Sequence, residues 1–86
     1  MALYLIDKIY GKNGLKLAEL DPDAKILLIQ DGVYLDVSKI GNKPVCAVKS
    51  DVEKRGLSGV LPKSIKLVDY PEVVDLIVAN KVFNFA

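Results

Sequence analysis

The 86-residue chain contains no histidine, no tryptophan and only one cysteine, Cys46. Without histidine, the Ser-His-Asp and Cys-His catalytic arrangements are impossible, and a single thiol excludes the usual Cys/His zinc sites. One cysteine also excludes an internal disulfide, which suits a reducing cytoplasm. The sequence has no Gly-Lys-Ser/Thr phosphate loop. Most self-contained enzyme classes are therefore excluded, and we expect no activity from the chain alone and no cofactor.

Neither sign of charge dominates, and no long apolar run is present. Twelve Lys and Arg against eleven Asp and Glu leave a formal charge of +1, without the basic excess typical of nucleic-acid binding. Apolar runs such as Ile26–Ile29 fall far short of the roughly 20 residues that span a bilayer. The first residues lack the basic and small-residue signals of a secretory leader. We expect a soluble cytoplasmic protein with no membrane contact and no direct contact with nucleic acid.

Hydrophobic residues make up 51% of the chain and charged residues 27%. This balance supports a buried core, whereas disordered chains are poor in apolar residues. Domains are typically 50–200 residues long. Residues 1–86 are therefore predicted to form a single domain.

Short apolar runs alternate with helix-compatible stretches along the chain. The runs predict strands at Ala2–Ile6, Lys25–Gln30, Pro44–Val48, Ser64–Val68 and Lys81–Phe85. The intervening stretches predict four helices. The first is Asn13–Leu20, and the second runs across Val33, Val37 and Ile40 and ends at Gly41-Asn42. The third is short, between a capping box at Ser50 and Gly56, and the fourth starts at Pro71. This order indicates an α/β fold, a small open, mostly parallel sheet of four to five strands with helices on both faces.

Polar side chains follow each predicted strand, where the carboxyl ends of parallel strands meet and ligands usually bind. They are Asp7 and Lys8, then Gln30, Asp31 and Gly32, then Lys49, Ser50 and Asp51, and lastly Asp69 and Tyr70. One interpretation is that the four aspartates bind Mg²⁺ or a phosphorylated ligand. The other is that they cap helices and stabilise turns. The second is favoured because no adjacent Asp pair and no Asp-x-Asp spacing follows the first strand, so no metal site is expected.

Three further groups of side chains carry two interpretations each. Cys46 lies in the third predicted strand, where it fills the core as a small hydrophobe with a raised pKa or acts as a reactive sulfur carrier. Arg55, before Gly56, presents its guanidinium to a partner or is an ordinary solvated side chain near a helix end. The aromatic residues serve as anchors at an interface or fill the core; these are Tyr34, Tyr70, Phe83 and Phe85.

Four segments in order resemble the DsrH/TusB family. Ile26–Val33 is similar to that family's apolar run followed by Gln, Asp or Asn, Gly and Val, and Val45–Val48 resembles its next strand. Asp51–Leu57 matches the spacing of its Asp…Ala-Arg-Gly segment. Ile65–Tyr70 with Glu72–Leu76 is similar to its Ile-x-Leu-Ile-Asp-Tyr block and the apolar residues that follow it. Together these segments cover most of residues 25–77.

The resemblance implies a DsrE/F/H-like, flavodoxin-like fold and a place in a sulfur-relay complex of the DsrEFH/TusBCD type. It implies partners similar to DsrE/TusD and DsrF/TusC, and a role in tRNA wobble-uridine 2-thiolation or in sulfur oxidation. DsrH members often have a cysteine in the first helix, but Gly14–Ala18 has none, and Cys46 does not match that position. The resemblance therefore favours an accessory subunit that forms hetero-oligomers, or homo-oligomers when it is alone, over a persulfide carrier that uses Cys46.

Overall fold

The computed structural model describes residues 2–41 and 43–86 and contains a five-stranded sheet. The strands are β1 (Ala2–Ile6), β2 (Ala24–Leu28), β3 (Val45–Val48), β4 (Ile65–Val68) and β5 (Lys81–Phe85). The helices are α1 (Lys8–Leu20), α2 (Lys49–Lys54) and α3 (Tyr70–Ala79), with 3₁₀ segments at Gln30–Tyr34 and Ser38–Ile40. All four strand pairings are parallel. The predicted α/β fold is confirmed, with all five strands in the sheet.

Helices cover the two faces of the sheet unequally. On the first face, α1, α2 and both 3₁₀ segments pack against one set of alternating strand residues, with Ile6, Ile26 and Leu28 fully buried. On the second face, Val73 and Leu76 of α3 contact the other set. Because β1 and β2 are buried on both sides, they read as nearly continuous apolar runs, as central parallel strands do.

The strand order is β4-β3-β2-β1-β5. Strands β1 to β4 lie side by side in chain order. The chain then crosses the second face through α3 and forms β5, which lies beside β1 at the other edge of the sheet. The flavodoxin order is 2-1-3-4-5, so the last strand, and not the second, occupies the position outside β1. The flavodoxin-like strand order implied by the resemblance is therefore corrected, whereas the class of fold stands.

The first helix is longer than its sequence pattern indicates. It begins at Lys8, directly after β1, because the carboxylate of Asp7 accepts a hydrogen bond from the Lys8 amide at 2.6 Å. Glycine lowers helix propensity, so Gly11 and Gly14 obscure the first turns in the sequence. In the structure both glycines lie on the buried side of α1, against the sheet.

Two of the predicted local structures differ from the observed ones. The helix predicted across Val33, Val37 and Ile40 is a pair of 3₁₀ segments, although Val33 and Ile40 are buried. Gly41 follows with φ of +75°, and Asn42 lies outside the described residues. The capping box at Ser50 is wrong, because α2 begins at Lys49 and Ser50 lies inside the helix.

Candidate functional site at the carboxyl edge of the sheet

The parallel strands place the predicted polar residues at one edge of the sheet. Three of them, from the turn after β2 and from α2, form a connected network there with an arginine that directly follows α2. The members of this edge network are Gln30, Asp31, Asp51 and Arg55. It joins segments 21 to 24 residues apart in the chain.

Asp51 holds the backbone of Gln30 in an uncommon conformation. Gln30 has φ of +49°, a left-handed value that a residue with a Cβ adopts at an energetic cost. Its amide donates a hydrogen bond to Oδ2 of Asp51 at 2.8 Å. A bond to a charged carboxylate is stronger than one between neutral groups. Asp51 therefore stabilises a turn that the local sequence alone would not favour.

Arg55 joins the two aspartates of the network. Its Nε donates to Oδ1 of Asp31 at 2.9 Å, and its Nη1 donates to the backbone carbonyl of Asp51 at 3.0 Å. Nη1 also lies 3.6 Å from Oδ1 of Asp51. The hydrogen bond to Asp31 raises the pKa of Arg55, and the nearby carboxylates act in the same direction. The guanidinium is therefore a positive charge whose Nε and Nη1 bind its own chain, while the Asp31 carboxylate stays more than half exposed.

The two glycines of this region have different roles. Gly32 lies against the end of β1, where a Cβ would overlap the carbonyl oxygen of Ile6. Gly32 is therefore required for close approach, and the positive φ of this turn belongs to Gln30 instead. Gly56 has φ of +66° just after α2, as predicted for a left-handed residue that ends a helix.

The other edge residues lie outside the network. A crevice of about 200 Å³ lies between the ends of β3 and β4, and it is lined by Lys49, Ser50, Glu53, Asp69 and Tyr70. Here the connection after β3 runs to the first face, whereas the connection after β4 runs to the second. Such a divergence of neighbouring loops is where open α/β sheets usually bind ligands.

The aspartates predicted at the edge act mainly on their own chain. Asp7 caps α1, while Asp31 and Asp51 bind Arg55. Asp69 precedes α3, and its side chain makes no capping hydrogen bond. Within residues 2–41 and 43–86, no three Cys, Asp or Glu side chains gather as metal ligands. Asp7 therefore caps a helix, whereas Asp31 and Asp51 form ion pairs with Arg55, and Asp51 also holds the turn at Gln30.

The aromatic residues divide between surface and core. Tyr34 and Tyr70 are exposed, and both lie at the carboxyl edge. Phe85 is partly buried and stacks on Tyr4, with ring centroids 6.0 Å apart. Phe83 also stacks on Tyr4, at 5.2 Å, although it lies on the edge strand and is partly exposed.

Cys46 lies away from the edge network, on the second face of the sheet. It is 8% exposed, in the middle of β3, and burial raises the pKa of its thiol while Lys66 and Lys25 act in the opposite direction. The residue lines a cavity of about 450 Å³ under α3, beside those two lysines. The predicted burial and the raised pKa are confirmed.

The sequence placed Gln30, Asp31 and Asp51 at one edge of the sheet, but it did not place Arg55 there and did not predict the bonds among the four residues. Glutamine is not a residue type that signals a positive φ, so nothing in the sequence marked Gln30 as strained. The Asp31–Arg55 ion pair likewise could not be predicted from the sequence, because its partners are 24 residues apart in the chain. The spacing from Asp51 to Arg55, four residues on a helix, is the one signal available in advance.

Comparison with known proteins identifies the family. Residues 13–82 match the family described as DsrH like protein. The fold is similar to that in the crystal structure of the ychN protein from E. coli, with a TM-score of 0.78, 20% identity, and coverage of 98% of this chain and 97% of that chain. At this identity the likeness shows the fold. The comparison with curated proteins gave no match.

The family match covers most of the chain, and the chain therefore belongs to the DsrH-like family. This places it in the class of sulfur-relay subunits, as the four ordered sequence segments predicted. Among the described residues, no helix has the length and apolar character needed to cross a membrane.

Proposed function

We propose that this chain is an accessory subunit of a cytoplasmic sulfur-relay complex of the DsrEFH/TusBCD type. Residues 1–86 act as one DsrH/TusB-like domain that associates with DsrE/TusD-like and DsrF/TusC-like subunits. The assembly supports persulfide transfer for tRNA wobble-uridine 2-thiolation or for sulfur oxidation. Membership in the DsrH-like family supports this assignment.

The burial of Cys46 is the observation that carries the accessory role. A sulfur carrier needs an accessible thiolate, since the thiolate is the nucleophile. Cys46 is the only cysteine of the chain, and it is a buried thiol with a raised pKa. The cysteine that accepts sulfur therefore belongs to another subunit, and this chain contributes to assembly.

The carboxyl edge is the proposed contact surface for the sister subunits. Tyr34 and Asp31 are exposed there, on a turn that Asp51 and Arg55 hold in one conformation. A turn ordered before binding loses less conformational entropy on association. Tyrosine contributes a large contact area at low entropic cost and is enriched at interfaces.

The second candidate is that Cys46 itself carries persulfide sulfur. The cavity beside it, with Lys25 and Lys66 on its walls, is the observation that favours this role, because nearby cations stabilise a thiolate or a persulfide anion. Burial acts against it and is the largest influence on the pKa of Cys46. The accessory role is therefore the better supported of the two.

Reconstitution separates the two roles. The chain, its Cys46→Ala variant or no third subunit is combined with DsrE-like and DsrF-like chains, and native mass spectrometry records the assembly. We expect a three-component complex with either form of this chain, with the added sulfur on a sister subunit and an equal rate of sulfur transfer. Sulfur bound to Cys46, or loss of transfer with Cys46→Ala in an intact complex, would establish the carrier role instead.

Failure of a complex to form with the unchanged chain would contradict both roles within such an assembly. A Tyr34→Ala variant tests the proposed surface, with Val60→Ala as its matched control, since both side chains are exposed. We expect weaker assembly for Tyr34→Ala and unchanged assembly for Val60→Ala. Equal assembly of the two variants would exclude Tyr34 from the interface.

A further inference from the structure

A cavity of about 450 Å³ lies between α3 and the second face of the sheet. On the sheet side it is lined by Lys25 of β2, Cys46 of β3 and Lys66 of β4, and on the other side by residues of α3 such as Leu76. Its walls are mostly apolar. Cavities of roughly 300–1,000 Å³ with apolar walls and a few polar groups are the usual binding sites for small organic molecules. We call this one the α3 cavity.

Lys25 interrupts the apolar sequence of a central strand. It is half-buried and lies between Ala24 and Ile26, both of which are buried. Its partner in the register of β1 and β2 is Leu3, which is fully buried on the second face of the sheet. Paired residues of neighbouring strands point to the same face, so the side chain of Lys25 extends into the α3 cavity. Lysines removed from solvent are normally paired with a carboxylate.

Lys25 has no such partner. Within residues 2–41 and 43–86, its ammonium group takes part in no hydrogen bond and no ion pair. Lys66, the other lysine of the cavity, is paired with Glu72 at 3.2 Å. Asp75 also lines the cavity, but it is exposed, and solvent screens an exposed charge more than a half-buried one. The charge without a partner inside the cavity is therefore the positive charge of Lys25.

We propose that the α3 cavity binds a small organic anion, a molecule with one anionic group on an apolar body. The anionic group pairs with Lys25, and the apolar body packs between Cys46 and Leu76. A charge-assisted hydrogen bond of this kind fixes the orientation of a ligand as well as adding affinity. The site requires no reaction at Cys46, and it lies away from the edge network. It therefore does not depend on the proposed function.

Three probes that share their rings and differ in charge test the site in the purified chain. They are naphthoate, its neutral amide naphthamide, and the cation naphthylmethylammonium. Titration at neutral pH, followed by two-dimensional NMR of the backbone amides, gives both the Kd and the location of each probe. We expect naphthoate to bind, with shifts concentrated at Cys46, Val68 and Leu76, which line the cavity. The amide and the cation should bind roughly tenfold more weakly or worse, because neither forms the charged pair with Lys25.

A pair of variants then tests the role of Lys25. Lys25→Met removes the charge and keeps an unbranched side chain of similar length, so the packing around it is retained. Lys63→Met is the matched control, the same change at an exposed lysine outside the α3 cavity. Thermal unfolding confirms that both variants fold. We expect Lys25→Met to bind naphthoate roughly tenfold more weakly and to bind naphthamide as the unchanged chain does. Lys63→Met should bind each probe like the unchanged chain.

Four results would overturn the proposal. They are no saturable binding of naphthoate at millimolar concentrations, equal binding of the three probes, undiminished binding of naphthoate by Lys25→Met, and shifts that fall outside the cavity. Tighter binding of the cation than of naphthoate would also overturn it, and would assign the cavity to its carboxylates, Glu72 and Asp75. Because no sister subunit is present in these titrations, none of the results decides whether the hetero-oligomer forms.

Discussion

Gln30 shows how a distant side chain determines a local conformation. Its left-handed backbone has no support from its own residue type, and residues in such conformations persist when surrounding contacts over-determine them. Asp51, 21 residues away in the chain, accepts a hydrogen bond from the Gln30 amide. Arg55 donates hydrogen bonds to Asp31 and to the backbone of Asp51, and so links these two aspartates. A side chain of α2 therefore holds the turn that carries the exposed Tyr34.

Removal of the Asp51 carboxylate is expected to destabilise the fold. Asp51→Ala should lower the free energy of unfolding by about 1–2 kcal/mol, because the Gln30 amide and Arg55 each lose a partner. Urea denaturation measures the change, and Glu53→Ala, an exposed carboxylate on the same helix, should be nearly neutral. In a Gln30→Gly background, where a positive φ costs little, Asp51→Ala should cost less. Equal costs in the two backgrounds would show that Asp51 does not hold the turn.

Gly32 is expected to tolerate no side chain. Gly32→Ala places a methyl group against the carbonyl oxygen of Ile6, a backbone atom that cannot rotate away, and should cost about 2 kcal/mol or more. Gly59→Ala is the matched control, because a Cβ there meets nothing within 4 Å and its φ is not positive. That change should be neutral or stabilising by roughly 0.4–1 kcal/mol. Thermal or urea unfolding compares the two, and similar stabilities would refute the close approach.

The short helix α2 is held in place by one buried residue. It has six residues, too few for stability in isolation. Val52 is its only fully buried side chain and joins the core of the first face. The helix carries Asp51 on the residue before that anchor, so the position of the edge network depends on the packing of Val52.

Truncation of this anchor should weaken both the fold and the edge network. Val52→Ala removes buried methyl groups and leaves a cavity, at a cost of roughly 2 kcal/mol. Val60→Ala, where the side chain is 73% exposed, should change the stability little. Amide hydrogen exchange at Gln30 should accelerate in the first variant, because its acceptor Asp51 moves with α2. An unchanged exchange rate would show that the network forms without the anchor.

For the molecule as a whole, the absence of histidine determines how stability depends on pH. Between about pH 6 and 7.5, no side chain with an ordinary pKa titrates, so the free energy of unfolding should be nearly constant. At alkaline pH the folded state retains protons longer than the unfolded state, because burial raises the pKa of Cys46 and of Tyr4, and a hydrogen bond to Asp21 raises that of Tyr4 further.

Stability should therefore fall as the solution becomes alkaline. A raised folded-state pKa contributes stability that is present below the unfolded pKa and is lost as the pH rises through the folded value. The loss should begin above roughly pH 8.5, where unfolded cysteine ionises. Urea unfolding at a series of pH values measures it, and Cys46→Ala should remove the earlier part of the fall and leave the part due to Tyr4. A curve unchanged by Cys46→Ala would show that the thiol ionises alike in both states.

Much of the fold was accessible from the chain itself, because its signals are local. Apolar runs located all five strands, with β1 and β5 at the observed boundaries, and Pro71 with its neighbours located α3. The burial of Cys46 followed from its place inside a strand, and Gly56 from the need for a positive φ after a helix. The wrong predictions arose where local signals compete: two glycines hid the start of α1, and Ser50 lies inside α2 instead of capping it.

Composition and order of the residues were sufficient for the α/β class, the family resemblance and the lack of histidine chemistry, since these depend on residue type and short-range spacing. Three features required the folded chain: the position of β5 beside β1, the bond from Gln30 to Asp51, and the packing of α1 and α3 on opposite faces of the sheet. Each depends on distances between segments far apart in sequence. Such distances are set by how the sheet and helices pack together, and no local pattern records them.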